Sequence, residues 1–305
     1  MPPVARDSLA LVTVTHNSAT ELAAMLRSAQ RHLPGTRVIV VDCASTDESV
    51  ACARRHGAVS IALDQNVGFG RACNRGLAEV TEPVTALVNP DVELLDASLL
   101  AIAGEALRTG PPRLLAPLVL NDDGTRQDTV HPVPGSAGDL LRSVIPPTLA
   151  PGRLGVALAP WRSAEPRRVG WAVGCAIVAR TQTLRALGPF DERIFMFGED
   201  LDLGLNAAQH GVQTWFWPAA RVVHHQSHST EAAFGGEPFE LLARTRHEVI
   251  ARRLGVGRAT LDDAAQALTF ATRIAAKRVL SRDAERERRQ LQALRRARRE
   301  PVQRG

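Results

Sequence analysis

The sequence predicts an α/β fold with a mostly parallel central sheet flanked by helices. Three observations predict it. Short apolar, β-branched runs alternate with helical patterns through the first half of the chain. Each run ends in small or polar residues. The connections between runs are short, as the right-handed crossovers of a parallel sheet require. The 305 residues are 45% hydrophobic and 23% charged, enough for one large core with an appendage.

Leu9–Thr15 reads as the first buried strand and stops at His16-Asn17-Ser18. Ser18 or Thr20 caps the next helix, whose Leu22, Met25, Leu26 and Ala29 recur at helical spacing. Residues 37–41 form the second strand and run into Asp42. Ala44-Ser45-Thr46-Asp47 then caps a helix through Ala53. Val59–Leu63 is the third strand, followed by Asn66-Val67-Gly68-Phe69-Gly70 and a helix through Asn74 to Ala78. Val84–Val88 is the fourth, halted by Pro90, which cannot donate to a ladder.

In a parallel sheet these four ends share one edge, where open α/β sheets bind ligands. Thr15, Asn17, Asp42, Ser45, Asp47, Asn66, Gly68, Asn89 and Asp91 therefore fall along one candidate cleft. Asp42 suits a base or ribose, because a buried carboxylate is costly without donors. Gly68 and Gly70 allow close backbone approach. Asp91, flanked by Asn89 and Glu93, can hold a hard divalent cation whose shell is completed by water and a ligand phosphate. Asn-Pro-Asp is equally a plain turn. No Gly-x-Gly-x-x-Gly follows the first strand and no P-loop lysine motif occurs, which weakens dinucleotide and ATPase readings.

The second half is less regular. Residues 114–120 suit a strand and 121–124 a hairpin-like turn, so Asp122 and Asp123 belong to turn chemistry rather than a metal pair. Residues 131–161 read as an irregular segment of the kind that forms lids. Residues 169–180 read as one strand with glycines at its start, where Trp171 offers a flat face to a sugar or simply fills a core. Glu199, Asp200 and Asp202 then crowd one helical first turn among Phe195, Met196, Phe197, Leu201 and Leu203. The helix macrodipole tolerates acids there. Their mutual repulsion also raises a pKa, as a general base needs. His224, His225 and His228 follow a strand, and neutral imidazole is a ready metal ligand.

Taken in order, Thr15 and Asn17, Val41-Asp42-x-x-Ser45-x-Asp47, the run Asn66 to Gly76, and Asn89-Pro90-Asp91 resemble the family 2 glycosyltransferases. The resemblance implies a GT-A fold, Rossmann-like in its sheet, and a nucleotide-sugar donor. It places Thr15, Asn17, Asp42, Ser45 and Asn66 around the donor nucleotide, with Asp47, Gly68, Asn74 and Asn89 on the same side. Asn89-Pro90-Asp91 stands for the family's Asp-x-Asp, so Asp91 and His224 become the ligands of Mg²⁺ or Mn²⁺. Asn89 removes one charge from that motif, and His16 stands where the family often has Tyr. Phe190-Asp191-Glu192 and Gly198-Glu199-Asp200-x-Asp202-Leu203 match the acceptor-side motif. By that match Asp200 is the base, Glu199 joins it in the catalytic pair by supporting the acceptor site, and Asp202 is structural; Trp171 and Gly174 are the expected acceptor contacts. His225 and His228 are loop histidines. One base with in-line attack implies inversion.

Val169-Gly170-Trp171, the acidic motif, the histidine run and a basic tail are most similar to actinobacterial rhamnosyltransferases. Those act on polyprenyl-diphosphate-linked N-acetylglucosamine, and the implied donor is dTDP-L-rhamnose. Another nucleotide sugar, such as UDP-galactofuranose or UDP-GlcNAc, is the nearer rival. A non-catalytic nucleotide- or glycan-binding protein is the rival of another class. A nucleotidyltransferase would want a Gly-rich, basic signature after strand one, which residues 13–18 lack.

The expected organisation is a glycosyltransferase domain over 1–255, with a nucleotide-sugar half at 8–110 and an acceptor half at 111–255. A helical basic extension follows at 256–305. Residues 273–305 hold twelve Arg/Lys against four Asp/Glu, so the net charge of +5 belongs to this tail and a nucleic-acid partner is not expected. The tail suits an anionic membrane surface or, equally, solvent as a charged helix or disordered chain. Four cysteines without CxxC spacing suit a reducing compartment. With no signal-peptide pattern and no long apolar run, the expectation is a cytoplasmic protein, with the inner face of the plasma membrane as its peripheral contact.

Overall fold

The computed structural model describes residues 6–145, 150, 152–188, 190–225 and 238–298. The first four strands are β1 (Leu9–Thr15), β2 (Arg37–Cys43), β3 (Val59–Leu63) and β4 (Val84–Val88). They pair in parallel as β3-β2-β1-β4. Between them run α1 (Ala19–His32), α2 (Ser49–Arg55) and α3 (Phe69–Ala78). Every residue of β1 is buried, so both faces of the sheet are covered. Its alternation sorts the two cores. Leu9 and Leu11 face Leu22, Met25, Leu99 and Ile102, whereas Ala10 and Val12 face Cys73, Leu77, Leu203 and Ala207. Gly76 lets α3 lie close on β1, since a Cβ there would come 2.5 Å from Val12 Cγ1.

Beyond β4 the sheet becomes mixed. The chain adds β5 (Val92–Leu94), α4 (Ser98–Leu107), β6 (Arg113–Leu120) and β7 (Val130–His131). Next come β8 (Arg167–Val169), β9 (Trp171–Ala172) and β10 (Ala176–Arg180). The short α7 (Thr181–Ala186), α8 (Glu199–Gln209) and β11 (Gln213–His224) complete this half. The order continues β4-β10-β6-β11-β5, with β8 on β11, making nine strands in the main sheet. β10 runs antiparallel to β4 and β6, and β11 runs parallel to β6 but antiparallel to β5.

Two expectations need correction. Residues 169–180 are not one strand. Gly170 presses on residues 132–133, where a Cβ would lie 2.2 Å from Val133 N, and the chain breaks there and again at Gly174. The pieces pair separately, β8 with β11, β9 with β7, and β10 with β4 and β6. Nor is 131–161 wholly irregular, because it holds α5 (Ala137–Val144) and α6 (Gly152–Leu158). Ser136 Oγ caps α5, accepting from Asp139 N–H.

After β11 the chain forms α9 (Phe239–Leu254), and the basic extension forms α10 (Val256–Val279) and α11 (Glu285–Ala297); the three helices pack on one another. Arg246 donates to both oxygens of buried Asp262 at 2.8 and 2.7 Å. Lys277 reaches Glu287 at 2.8 Å, and Arg298 reaches Asp263 at 2.7 Å. Leu294 and Ala297 are buried against Ala243, so the basic helix is docked rather than free. No helix among the described residues is long and apolar enough to cross a membrane.

Candidate active site

The ends of β1 and β2 are knitted together by their own side chains. Asn17 N–H donates to Ser45 Oγ at 2.9 Å, and Asn17 Oδ1 accepts from Thr46 N–H at 2.8 Å. Asp42 is 1% exposed; its Oδ2 accepts from Ser45 N–H at 2.9 Å, and its Oδ1 has no partner among the described residues. Asp47 accepts from Ala19 N–H at 2.9 Å and Ser49 N–H at 3.0 Å. Ser18 therefore does not cap α1 through its side chain; the carboxylate of Asp47 serves its first turn. Thr15 Oγ1 lies 3.4 Å from Ser49 Oγ. After β3, Asn66 Oδ1 accepts from Gly68 N–H at 3.0 Å. Gly68 has φ +85° and abuts Phe195, whose carbonyl a Cβ would strike.

Register brings the second group together. Asn89 N–H donates to Cys175 O at 2.9 Å, and Val92 N–H closes the Asn-Pro-Asp turn onto Asn89 O at 3.2 Å. The antiparallel pairing of β5 with β11 sets His224 opposite Val92, and His225 N–H donates to Asp91 O at 3.0 Å. His224 Nε2 consequently lies 3.3 Å from Asp91 Oδ1. On the other wall, Gly198 (φ +98°) starts α8 and Asp200 sits in its first turn. Asp200 Oδ1 accepts from Leu201 N–H at 2.7 Å and Oδ2 from Gly174 N–H at 3.1 Å. Asn89, Asp91, Trp171, Gly174, Glu199, Asp200 and His224 all line one cavity of about 570 Å³.

Burial pushes Glu199 up to about 8, with the charge of Asp200 adding to the rise. Burial also raises Asp200, while the N–H groups of Gly174 and Leu201 and the charge of Arg246 restrain the rise. A carboxylate lifted from its ordinary range is a better proton acceptor near neutral pH. Asp191 goes the other way, to about 2, because Arg193 bonds it directly. Asp202, 3% exposed, is paired with Arg252 at 2.9 Å and Arg253 at 2.7 Å, in keeping with a structural part.

Gln127 donates from Nε2 to His224 O at 2.6 Å, and its Oε1 lies 3.1 Å from His224 Nδ1. That amide orientation assigns the imidazole hydrogen to Nδ1 and leaves the Nε2 lone pair on the side of Asp91. One carboxylate and one such imidazole fit a divalent ion whose other ligands are water and a diphosphate. Among the described residues no group of three or more His, Cys, Asp or Glu is arranged for a metal.

Several expected residues are placed differently. Thr15, Asn17, Asp42, Ser45, Asp47, Asn66, Gly68 and Asn74 are not part of the cavity lining. Asn74 gives its whole amide to Phe190, donating to its O at 3.0 Å and accepting from its N–H at 2.7 Å. Trp171 is no open sugar platform. It is 8% exposed, stacked on His131 at 4.4 Å, with the Arg246 guanidinium 5.9 Å from its ring. Gly174 lines the cavity and also donates its N–H to Asp200. His225 bridges Asp122 and Glu93, and His228 lies outside the described residues. Sequence reasoning missed Gln127 and Arg246, and it missed that Phe239, Leu242, Phe270 and Leu294 of the C-terminal helices wall the cavity. The apolar spacing of those helices was visible; their docking was not.

Residues 10–142 match the family model described as Glycosyl transferase family 2. An N-acetylglucosaminyl-diphospho-decaprenol L-rhamnosyltransferase of Mycobacterium tuberculosis is 29% identical over 259 residues, covering 78% of this chain and 81% of that protein. The mannosyltransferase PcManGT of Pyrobaculum calidifontis, solved with GDP-Man and Mn²⁺, superposes with TM-score 0.58 at 16% identity, over 91% of this chain and 76% of that one. TarS 1-349 of S. aureus with UDP-GlcNAc gives 0.53 at 14% identity, over 94% and 79%. At those identities the likeness of the solved structures is one of fold. Residues 10–142 thus resemble the family 2 glycosyltransferases, the fold is that of the solved GT-A glycosyltransferases, and the chain resembles the mycobacterial rhamnosyltransferase along most of its length.

Proposed function

We propose that this glycosyltransferase moves L-rhamnose from dTDP-L-rhamnose to a hydroxyl of N-acetylglucosamine carried on a polyprenyl diphosphate, with inversion, in cell-envelope polysaccharide synthesis. The observation that carries the reading is the shared cavity of Asp91, Asp200 and His224. Asp200 takes the proton of the acceptor hydroxyl. The hydroxyl oxygen then bonds to the anomeric carbon from the face opposite the nucleotide, and the bond to the diphosphate breaks with its electron pair leaving on phosphate oxygen. Gly174 and Leu201 hold Asp200 by its two oxygens, which fixes its aim. Asp91 and His224 would hold Mg²⁺ or Mn²⁺, which supplies positive charge for the leaving diphosphate. Asp42, with one carboxylate oxygen unpartnered and Ser45 on the other, is the candidate ribose or base contact. The rhamnosyl and polyprenyl assignments rest on the mycobacterial relative.

A thermal-stability screen of nucleotide sugars with Mn²⁺, followed by transfer to polyprenyl-diphospho-N-acetylglucosamine, tests this. The expected result is strongest stabilisation by dTDP-L-rhamnose and a rhamnosylated product that EDTA abolishes. Stabilisation by a different nucleotide sugar would replace the donor assignment. Absence of transfer from every donor would favour a binding protein.

A further inference from the structure

The C-terminal helices give the cavity a second character. Its floor is polar, formed by the strand-end and α8 carboxylates with His224. Its other wall is apolar, formed by Phe239, Leu242 and Ala243 on α9, Phe270 on α10 and Leu294 on α11. On α9 the spacing of Phe239, Leu242, Ala243 and Arg246 sets all four on one helical face. That face ends in Arg246, the one Arg or Lys among the described residues of the cavity lining, which borders the same space as Asp200. Asp262 takes Nε and Nη2 of Arg246 at 2.8 and 2.7 Å, whereas the guanidinium carries five N–H bonds in all. Leu242 both lines the cavity and is 37% exposed, so the apolar wall continues to the surface.

We infer that α9 is the rail on which an amphipathic acceptor lies, its anionic linkage at Arg246 and the first units of its hydrocarbon chain along Leu242 and Phe239. The inference rests on the lipid-linked acceptor proposed above and adds where the linkage and chain are bound. A soluble sugar acceptor would need neither an apolar wall open to solvent nor a cation one turn beyond it. A guanidinium recognises a diphosphate through paired N–H bonds. Contact with the wall removes apolar chain surface from water. The carboxylate floor is left to the sugar hydroxyl.

The test compares two acceptors, the ethyl and the farnesyl diphosphate esters of N-acetylglucosamine, with the full-length protein, the stabilising donor and Mn²⁺. The farnesyl ester is expected to have a KM about tenfold or more below the ethyl ester. Leu242→Ser, at a half-exposed position that tolerates a polar side chain, is expected to shrink that ratio to about a third. Arg246→Lys keeps the charge but loses the fork, and is expected to raise KM for both esters. Equal KM for the two esters, or a ratio unmoved by Leu242→Ser, overturns the rail and leaves the transferase reading standing. No transfer to either ester, with the donor still hydrolysed, overturns the acceptor reading and the rail together.

Discussion

Two groups of polar residues lie along the rim of this sheet, and they are held in different ways. At the ends of β1 and β2, Asn17, Ser45, Thr46 and Asp47 bond to one another and to nearby backbone. Around the cavity, Asp91 meets His224 only because β5 pairs with β11, and Asp200 is held by Gly174 from another strand end. The first group is close to saturated. The second keeps buried atoms without partners among the described residues, namely Asn89 Oδ1 and Glu199 Oε2. Saturated networks rigidify, whereas an unpaired buried polar atom is costly and marks a place for a ligand. The strand-end net is thus a rigid frame that would present Asp42 and its neighbours to a donor nucleotide, and the cavity is the candidate seat of chemistry.

That contrast can be broken experimentally, beginning where the effect is greatest. Asp91→Asn and His224→Gln are expected to lower transfer by about a hundred- to a thousandfold and to weaken Mn²⁺ binding, followed by steady-state assay and Mn²⁺ titration. Gln127→Ala leaves both proposed ligands in place but frees the imidazole to turn. Mn²⁺ affinity measured by electron paramagnetic resonance should fall about ten- to a hundredfold. Asp47→Ala, on the scaffold side, should cost about 1 kcal/mol of stability in a denaturant titration, with far less effect on transfer. A larger loss of transfer from Asp47→Ala than from Gln127→Ala would reverse the assignment of the two groups.

The smallest effect sharpens the comparison through pH. Burial first, and Asp200 second, push Glu199 up to about 8. The folded chain therefore keeps a proton there that the unfolded chain releases, between the ordinary glutamate range and that value. Stability contributed by this group is present at low pH and falls as pH rises through the window. Glu199→Gln removes the penalty. Its Tm relative to the wild type should rise by several degrees, about 6 °C, from about pH 5 to about pH 9. A constant difference across that range would contradict the burial of this carboxyl.

Much of this was legible in the chain itself. β1, β3 and β4 are short, mostly apolar runs rich in β-branched residues, and Leu22, Met25, Leu26 and Ala29 repeat at the helical period that buries them. Asp91, Asp200 and His224 were picked out by motifs that resemble the family 2 glycosyltransferases, and the structure brings the three to one cavity. What local sequence cannot carry is long-range contact. Nothing around Gln127 announces that its amide will grip His224. Gly170 and Gly174 read as glycines of one strand, yet the close packing of residues 132–133 and of Asp200 splits it. The charge of α11 suggested solvent, but Leu294 and Ala297 on its other face settle against α9, and Lys277 pairs with the buried Glu287. Trp171 looked available to a sugar because sequence does not show that His131 stacks on it.

The base is the part of the proposal on which the rest turns, and Asp200→Asn addresses it with little change of shape. Donor with Mn²⁺ should still raise the melting temperature of the variant as it does for the wild type, while transfer falls by about a hundred- to ten-thousandfold. Transfer by Asp200→Asn within about twofold of the wild-type rate would contradict it and send the search for the base to another carboxylate of the cavity.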